Sequence, residues 1–220
     1  MSIGVKAALL EEYALVARAL ATPARLMILE QLAQAERSVD ALAEKTGLSV
    51  ANCSQHLQQL RRAGLVAGRR DGKAVIYSMA DTKTLALMDM IRIVAERNVA
   101  EVERILRGLS GGGDIPEPIS RDELAARLAD GSVVVLDVRP ADEYACGHIP
   151  GALNATLGGL QQMIPTLDPG AEIVAYCRGP FCIYAHQAVT ALREFGLNAR
   201  LMEGGLPEWR EEGRLISLVG

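Results

Sequence analysis

Two cysteines, Cys177 and Cys182, stand five positions apart in VAYCRGPFCIYAHQAV, residues 174–189, between an apolar strand-like run and a helix-like run. These residue types leave four chemistries open: a nucleophile that carries sulfur, a redox pair, a metal site with His186 as third ligand, or small buried packing. A thiolate needs stabilising near neutral pH, and inward-facing amides at a strand-to-helix junction supply that without a base; Arg178 adds positive charge beside the sulfur. Cys182 then reads as a resolving thiol that attacks an oxidised or persulfidated Cys177, provided the Cα atoms lie within about 7 Å. The metal reading has no paired motif of zinc spacing, so neither a metal nor another cofactor is expected.

The chain has 220 residues, half of them apolar, which is enough to bury the cores of two small domains. No apolar run approaches the ~20 residues that span a bilayer, and Glu11 and Glu12 interrupt the start where a secretory leader is apolar. A cytoplasmic protein without a membrane partner is expected. Four cysteines do not make a disulfide scaffold at this length. The net charge of −4 hides an asymmetry: residues 1–110 hold 15 Lys/Arg against 12 Asp/Glu, and residues 111–220 hold 8 against 15. Only the first half suits a polyanion.

The division falls at GLSGGGDIPEPIS, where glycines and prolines break the periodic pattern, so residues 108–119 are predicted to link a domain at 1–107 to one at 120–220. In the first domain, helices are predicted over 7–20, 23–34, 38–46, 49–63 and 81–107, with strands at 65–70 and 73–78 joined by Asp71-Gly72. That order is a mainly α winged helix-turn-helix. The last helix carries Leu85, Met88, Ile91, Val94, Val102, Ile105 and Leu109, a stripe long enough to bury itself against a second copy. In the second domain, Ser120 and Glu123 form a capping box before RDELAARLA. The runs 133–138, 172–176 and 199–202 then alternate with helical stretches 158–164, 182–195 and 206–212, an α/β pattern with a mostly parallel sheet. Cys177 falls at the carboxyl end of a strand, where such sheets place their sites.

Within TGLSVANCSQHLQQLRRAGLV, residues 46–66, Ser49 is an N-cap and Val50, Cys53, Leu57 and Leu60 share one helix face. The opposite face presents Asn52, Gln55, Gln58, Gln59 and Arg62, side chains that pair with base edges and phosphates. Arg69, Arg70 and Lys73 flank the turn, giving a basic wing tip for a double-stranded DNA operator. Cys53 and His56 lie on or beside the apolar stripe and are read as packing.

Residues 21–81, ATPARLMILEQLAQAERSVDALAEKTGLSVANCSQHLQQLRRAGLVAGRRDGKAVIYSMAD, strongly resemble the arsenic-repressor (ArsR) type of winged-helix regulators. The resemblance implies a homodimer, a palindromic operator, repression, and release of DNA when an inducer binds. Metal-sensing members carry thiols where this chain has ERSVDAL, and His and Asp ligands in the last helix, where residues 81–107 hold no His; metal sensing is not expected.

The run VVVLDVRPADEYACGHIPGALNA, residues 133–155, the Cys177 loop and MEGGLPEW, residues 202–209, together resemble a single rhodanese domain. That resemblance implies sulfane-sulfur transfer through a persulfide on Cys177, with a small sulfur donor or persulfide as partner. Active loops of the family usually have glycine fourth and a basic or hydroxyl residue sixth; here Pro180 and Cys182 stand there, so efficient thiosulfate chemistry is not expected. Ile183 replaces the arginine of phosphatase-like loops. Asp137, Arg139, Glu143 and His148 are read as partners that hold the frame, Cys146 as incidental and Trp209 as a cap on the core. The function expected is a DNA-binding regulator that senses or carries sulfane sulfur on Cys177, with Arg178 and Cys182 assisting. The alternatives are a rhodanese-type sulfurtransferase tethered to DNA, and a regulator with an inert rhodanese shell.

Overall fold

The computed structural model describes residues 3–109, 117–179 and 181–219. The chain divides into two compact units, residues 1–88 and 89–220. Most of the predicted linker, residues 110–116, lies outside the described residues, as does Pro180.

The first unit opens with α1 (Ile3–Leu20) and α2 (Pro23–Gln34), with Pro23 pre-set at the first helical position. A two-residue strand, β1 (Arg37–Ser38), leads into α3 (Val39–Thr46), capped by Ser38 Oγ accepting from the Ala41 N–H at 3.2 Å. Ser49 caps α4 (Val50–Arg62) in the same way, accepting from the Asn52 N–H at 3.3 Å. Ile28, Leu29, Leu42, Cys53, Leu57 and Leu60 are fully buried and form the core between these helices. Val50, predicted on the same stripe, is 47% exposed; it opens the helix, and the buried stripe begins one turn later at Cys53.

β2 (Val66–Asp71) and β3 (Ala74–Met79) form the wing hairpin, with Asp71 opposite Ala74 and β1 added on the far edge of β3. Both strands sit one residue later than predicted, because Gly72 at φ +60° and Lys73 form the two-residue loop and Asp71 still pairs.

The single helix predicted over 81–107 is a break-containing pair, α5 (Lys83–Asn98) and α6 (Ala100–Leu109). At the end of α5, Asn98 Nδ2 donates to the Val94 carbonyl at 2.8 Å. Glu101 and Glu103 then favour a new helix start after Val99. Leu85 and Met88 are buried, whereas Met90, Val94 and Ile105 are more than half exposed.

The second unit contains α7 (Arg121–Asp130), β4 (Val133–Asp137), α8 (Ala141–Ala145), β5 (Leu153–Asn154) and α9 (Leu157–Met163) with a 3-10 turn behind it. β6 (Glu172–Cys177), α10 (Tyr184–Glu194), β7 (Asn198–Gly205) and α11 (Leu206–Glu211) follow, and the unit also takes in α6 and the end of α5 from residue 89. All pairings in the sheet are parallel, in the order β5-β4-β6-β7. The near-continuous apolar strands are explained by burial on both faces. Successive side chains alternate: Ile173, Ala175 and Cys177 pack with Leu160, Val189 and Leu192, while Val174 and Tyr176 pack with Leu124, Leu206 and Trp209. α8 and β5 carry no signal long enough to predict. Ser120 caps α7 as expected, but the Glu123 side chain pairs forward with Arg127 at 2.6 Å.

Candidate functional site

Cys177 ends β6, 2% exposed, and its register partner on β7 is Gly205. The loop after it turns back with the Cys182 N–H donating to the Gly179 carbonyl at 3.1 Å, and α10 begins only at Tyr184. The helix predicted from residue 182 therefore starts two residues later, and Cys182 belongs to the loop. Cys177 and Cys182 are joined as a disulfide with their Cα atoms 6.2 Å apart, inside the reach that the resolving role requires. Cys146 and Cys53 are free thiols, the first exposed and the second buried; burial, and then Asp40, push the Cys53 thiol up. Among the described residues no group of three His, Cys, Asp or Glu is placed to hold a metal.

Arg178 turns away to a bidentate pair with the fully buried Glu143 carboxylate, Nε to Oε2 and Nη2 to Oε1 both at 2.8 Å, and lies over the Tyr184 ring at 5.7 Å. Its charge is thus matched within the frame, which lessens the field that sequence reasoning assigned to the sulfur. Asp137 and Arg139 are both buried and meet at 2.5 Å. Arg139 also donates to the Gly147 carbonyl at 2.6 Å; Tyr176 Oη donates to Asp137 at 2.6 Å and accepts from the Ile149 N–H at 3.0 Å. Burial, and then the Asp137 charge, push the Tyr176 hydroxyl far up, so it stays a donor. His148 stacks on Tyr144 at 3.8 Å and its Nδ1 lies 3.1 Å from the Tyr144 carbonyl. Asn154 Nδ2 binds the carbonyls of Asp137 and Arg139 at 3.0 and 2.9 Å. Tyr176 and Asn154 were missed by sequence reasoning; a polar aromatic beside a strand-end cysteine, hence on the other face, was the available signal.

Behind the loop, a Cβ on Gly205 would stand 2.3 Å from the Gly179 nitrogen, so the β7 backbone is pressed directly against the loop. Glu208 accepts from the Gly205 N–H at 2.8 Å through one oxygen, while the other is buried without a partner. Burial raises this carboxyl above the ordinary range, against a partial offset from the Gly205 N–H and Arg121. The folded chain therefore holds that proton to higher pH than the unfolded chain, and Glu208 withdraws stability as pH rises through the ordinary glutamate range. Glu208→Gln is expected to match wild type in acid and to be the more stable above neutrality, read as urea midpoints across pH from the fluorescence of Trp209.

A cavity of about 230 Å³ adjoins the loop, lined by Cys177, Gly179, Cys182, His186, Leu201 and Met202 together with Leu106, Arg92 and Glu96.

On the first unit, Asn52, Gln55, Gln58, Gln59 and Arg62 are all exposed along α4. Gln59 is also tied inward: buried Arg25 donates to its Oε1 at 2.6 Å, and to the carbonyls of Ala19 and Arg18. Arg61, which helical phasing did not single out, lines a surface depression with Gln58 and Arg62. At the wing, Arg69 pairs with Glu36 at 2.8 Å and reaches Asp71 at 3.5 Å, whereas Arg70 and Lys73 are exposed beside it.

The two units thus define a class: a winged helix-turn-helix joined to a rhodanese-like α/β domain. A helix-turn-helix domain profile matches residues 20–69 and a rhodanese-like domain profile matches residues 120–212. The HTH-type transcriptional regulator Rv0324 of Mycobacterium tuberculosis is 39% identical over 208 residues, covering 94% of this chain and 91% of that protein. The solution structure of the homodimeric winged helix-turn-helix domain of Mb0332 from Mycobacterium bovis, a possible ArsR-family regulator, is 40% identical over 46% of this chain and 93% of that one, with a TM-score of 0.42. A rhodanese-related protein from Thermoplasma volcanium is 27% identical over 47% of this chain and 99% of that one, with a TM-score of 0.43. This chain belongs to the ArsR-type helix-turn-helix transcriptional regulators that carry a rhodanese-like domain. It is a transcriptional regulator with a DNA-binding domain, and no helix among its described residues is long and apolar enough to cross a membrane.

Proposed function

We propose that the chain is a cytoplasmic, homodimeric repressor whose rhodanese-like domain carries sulfane sulfur on Cys177 and changes operator affinity when loaded. The observation that carries this reading is the placement of Cys177 at a strand end beside a small cavity, with Cys182 within bonding reach. Reduced Cys177 attacks the outer sulfur of a hydropersulfide, takes that sulfur as a persulfide and expels the donor thiolate. The Cys182 thiolate then attacks Cys177 Sγ, closing the disulfide and releasing hydrosulfide. A device that closes on itself in this way favours sensing over the alternative of a turnover enzyme, and engagement of Arg178 by Glu143 leaves thiosulfate a poorer donor.

Asn52, Gln55 and Gln58 read base edges; Arg62, Arg70 and Lys73 hold phosphates; Gln59 and Arg69 support their elements as well as the contact. Arg62→Ala is expected to weaken binding to all sequences alike and to make the salt slope shallower by about one, measured by titration at several salt concentrations. Exposed apolar side chains on α1, Leu10 at 54% and Tyr13 at 65%, and on α5, Met90 at 54% and Val94 at 53%, support the homodimer.

Footprinting the operator with and without a persulfide donor tests the central reading. Affinity is expected to change about tenfold or more in wild type and to stay constant in Cys177→Ser. Equal affinity in both states of the wild type removes sensing, and sustained multiple turnover with sulfur donors makes the protein a sulfurtransferase instead.

A further inference from the structure

The disulfide borders the cavity of about 230 Å³ described above. Leu106, Ala185, Leu201 and Met202 make much of its wall apolar, and His186 places an imidazole in it four residues after Cys182. The His186 Nδ1 is buried and has no hydrogen-bond partner. Burial, and then the Arg92 charge, hold this imidazole below its ordinary range, so near neutrality it is an uncharged base. Arg92 and Glu96 on α5 and Glu203 on β7 are the other charged groups lining the same space.

We propose that this cavity binds hydrogen sulfide, and that sulfide opens the Cys177–Cys182 disulfide to leave a persulfide on Cys177. The proposal rests on the reading of Cys177 as a sulfur carrier, but the sulfur arrives fully reduced rather than from a sulfane donor. Neutral hydrogen sulfide enters the apolar space and gives a proton to His186. The hydrosulfide formed attacks Cys177 Sγ, the bond to Cys182 breaks, and Cys182 leaves as a thiolate that takes the proton back from His186. Cys177 is the point of attack because it is fixed in the β6 ladder, whereas Cys182 lies in the loop before α10, outside any helix or strand, and is the leaving group. One S–S bond forms for each one broken, so the disulfide itself supplies the oxidation level of the persulfide and no other oxidant or reductant takes part. The reverse step, Cys182 thiolate on Cys177 Sγ, expels hydrosulfide. The loop is therefore a reversible covalent receptor whose occupancy follows the sulfide concentration.

The test uses the full chain with its disulfide intact, exposed to sodium sulfide, alkylated and mapped by mass spectrometry. A gain equal to one hydrogen sulfide, with the persulfide on Cys177 and a thiol on Cys182, saturating with sulfide and lost on its removal, is the expected result. Cys182→Ser, which has no disulfide to open, is expected to gain nothing. His186→Gln is expected to slow the reaction roughly 100-fold in mildly acidic solution, where sulfide is mostly neutral, and to flatten its pH profile while Trp209 fluorescence stays unchanged. A disulfide that withstands sulfide, a persulfide found on Cys182, or an H186Q chain that reacts like wild type at every pH overturns the proposal. In a parallel arm the reduced chain meets inorganic polysulfide. Loading of Cys177 there, without reaction of the disulfide form, leaves the proposed function standing alone; loading in neither arm removes both.

Discussion

Arg139→Met is expected to destabilise the second unit by about 3–5 kcal/mol, enough to unfold it at moderate urea while the first unit stays folded. The guanidinium is fully buried, pairs with Asp137 at 2.5 Å and donates to the Gly147 carbonyl at 2.6 Å. Methionine fills a similar volume but leaves the Asp137 carboxylate inside the protein with only the Tyr176 hydroxyl and the residue 139 N–H as donors. The penalty thus comes from the stranded anion rather than from the lost attraction. The double variant Asp137→Leu, Arg139→Met should therefore recover much of the stability, since it removes both charges together. Trp209 is the one tryptophan of the chain, is buried, and donates from Nε1 to the Leu215 carbonyl at 2.9 Å, so its fluorescence follows the second unit alone. A single variant as stable as wild type, or a double variant no better than the single, refutes this account of the pair.

Gly205→Ala is expected to cost about 3 kcal/mol and to slow closure of the Cys177–Cys182 bond in the reduced chain by at least about tenfold. Gly205 has an extended backbone, φ −153°, that any residue can adopt, so the requirement for glycine is one of space. The added methyl would meet the Gly179 nitrogen at 2.3 Å, the Gly179 Cα at 2.6 Å and the Arg178 carbonyl carbon at 2.7 Å, all of them backbone atoms with no rotamer to yield. The loop must move away from β7 and carry residues 178 and 179, between the two sulfurs, with it. Timed thiol trapping during oxidation reads the closure rate, and Trp209 fluorescence in urea reads the stability. Gly158→Ala, in α9 where a methyl meets nothing within 4 Å, is the matched control and should be neutral or slightly stabilising. Equal behaviour of the two variants would show that the close approach has no energetic weight.

Much of this architecture is legible in the sequence because local and long-range preferences agree. Pro23 to Gln34 is a helix by prediction and in the structure, and Ser49 caps α4 as its spacing requires. The strand runs 133–138 and 172–176 are apolar but for Asp137 and Glu172, and so announce a sheet covered on both sides. Prediction fails where a side chain competes with the backbone or where a partner comes from far along the chain. α5 ends at Asn98, whose side chain binds the Val94 carbonyl, and no periodicity reports that. β1 is two residues long and exists only because β3 offers Tyr77 and Ile76 as partners. The wing register moved by one because Asp71 pairs rather than turns. At the candidate site, cysteine spacing pointed to the loop, but the pairing of Arg178 with Glu143, 35 residues away, and the tie from Arg25 to Gln59, 34 residues away, are tertiary facts with no local trace.

The alternation along β6 separates two kinds of matter that are neighbours in sequence. Cys177 packs on the face with Val189 and Leu192, and Tyr176 on the face with Leu124 and Trp209, where it anchors the Asp137–Arg139 pair. A mutational lineage can thus exchange the side chain at position 177, or reshape the chamber beside it, without touching the ionic keystone one residue away. The same strand lets an engineer install a side chain of choice at position 177 on an unaltered foundation.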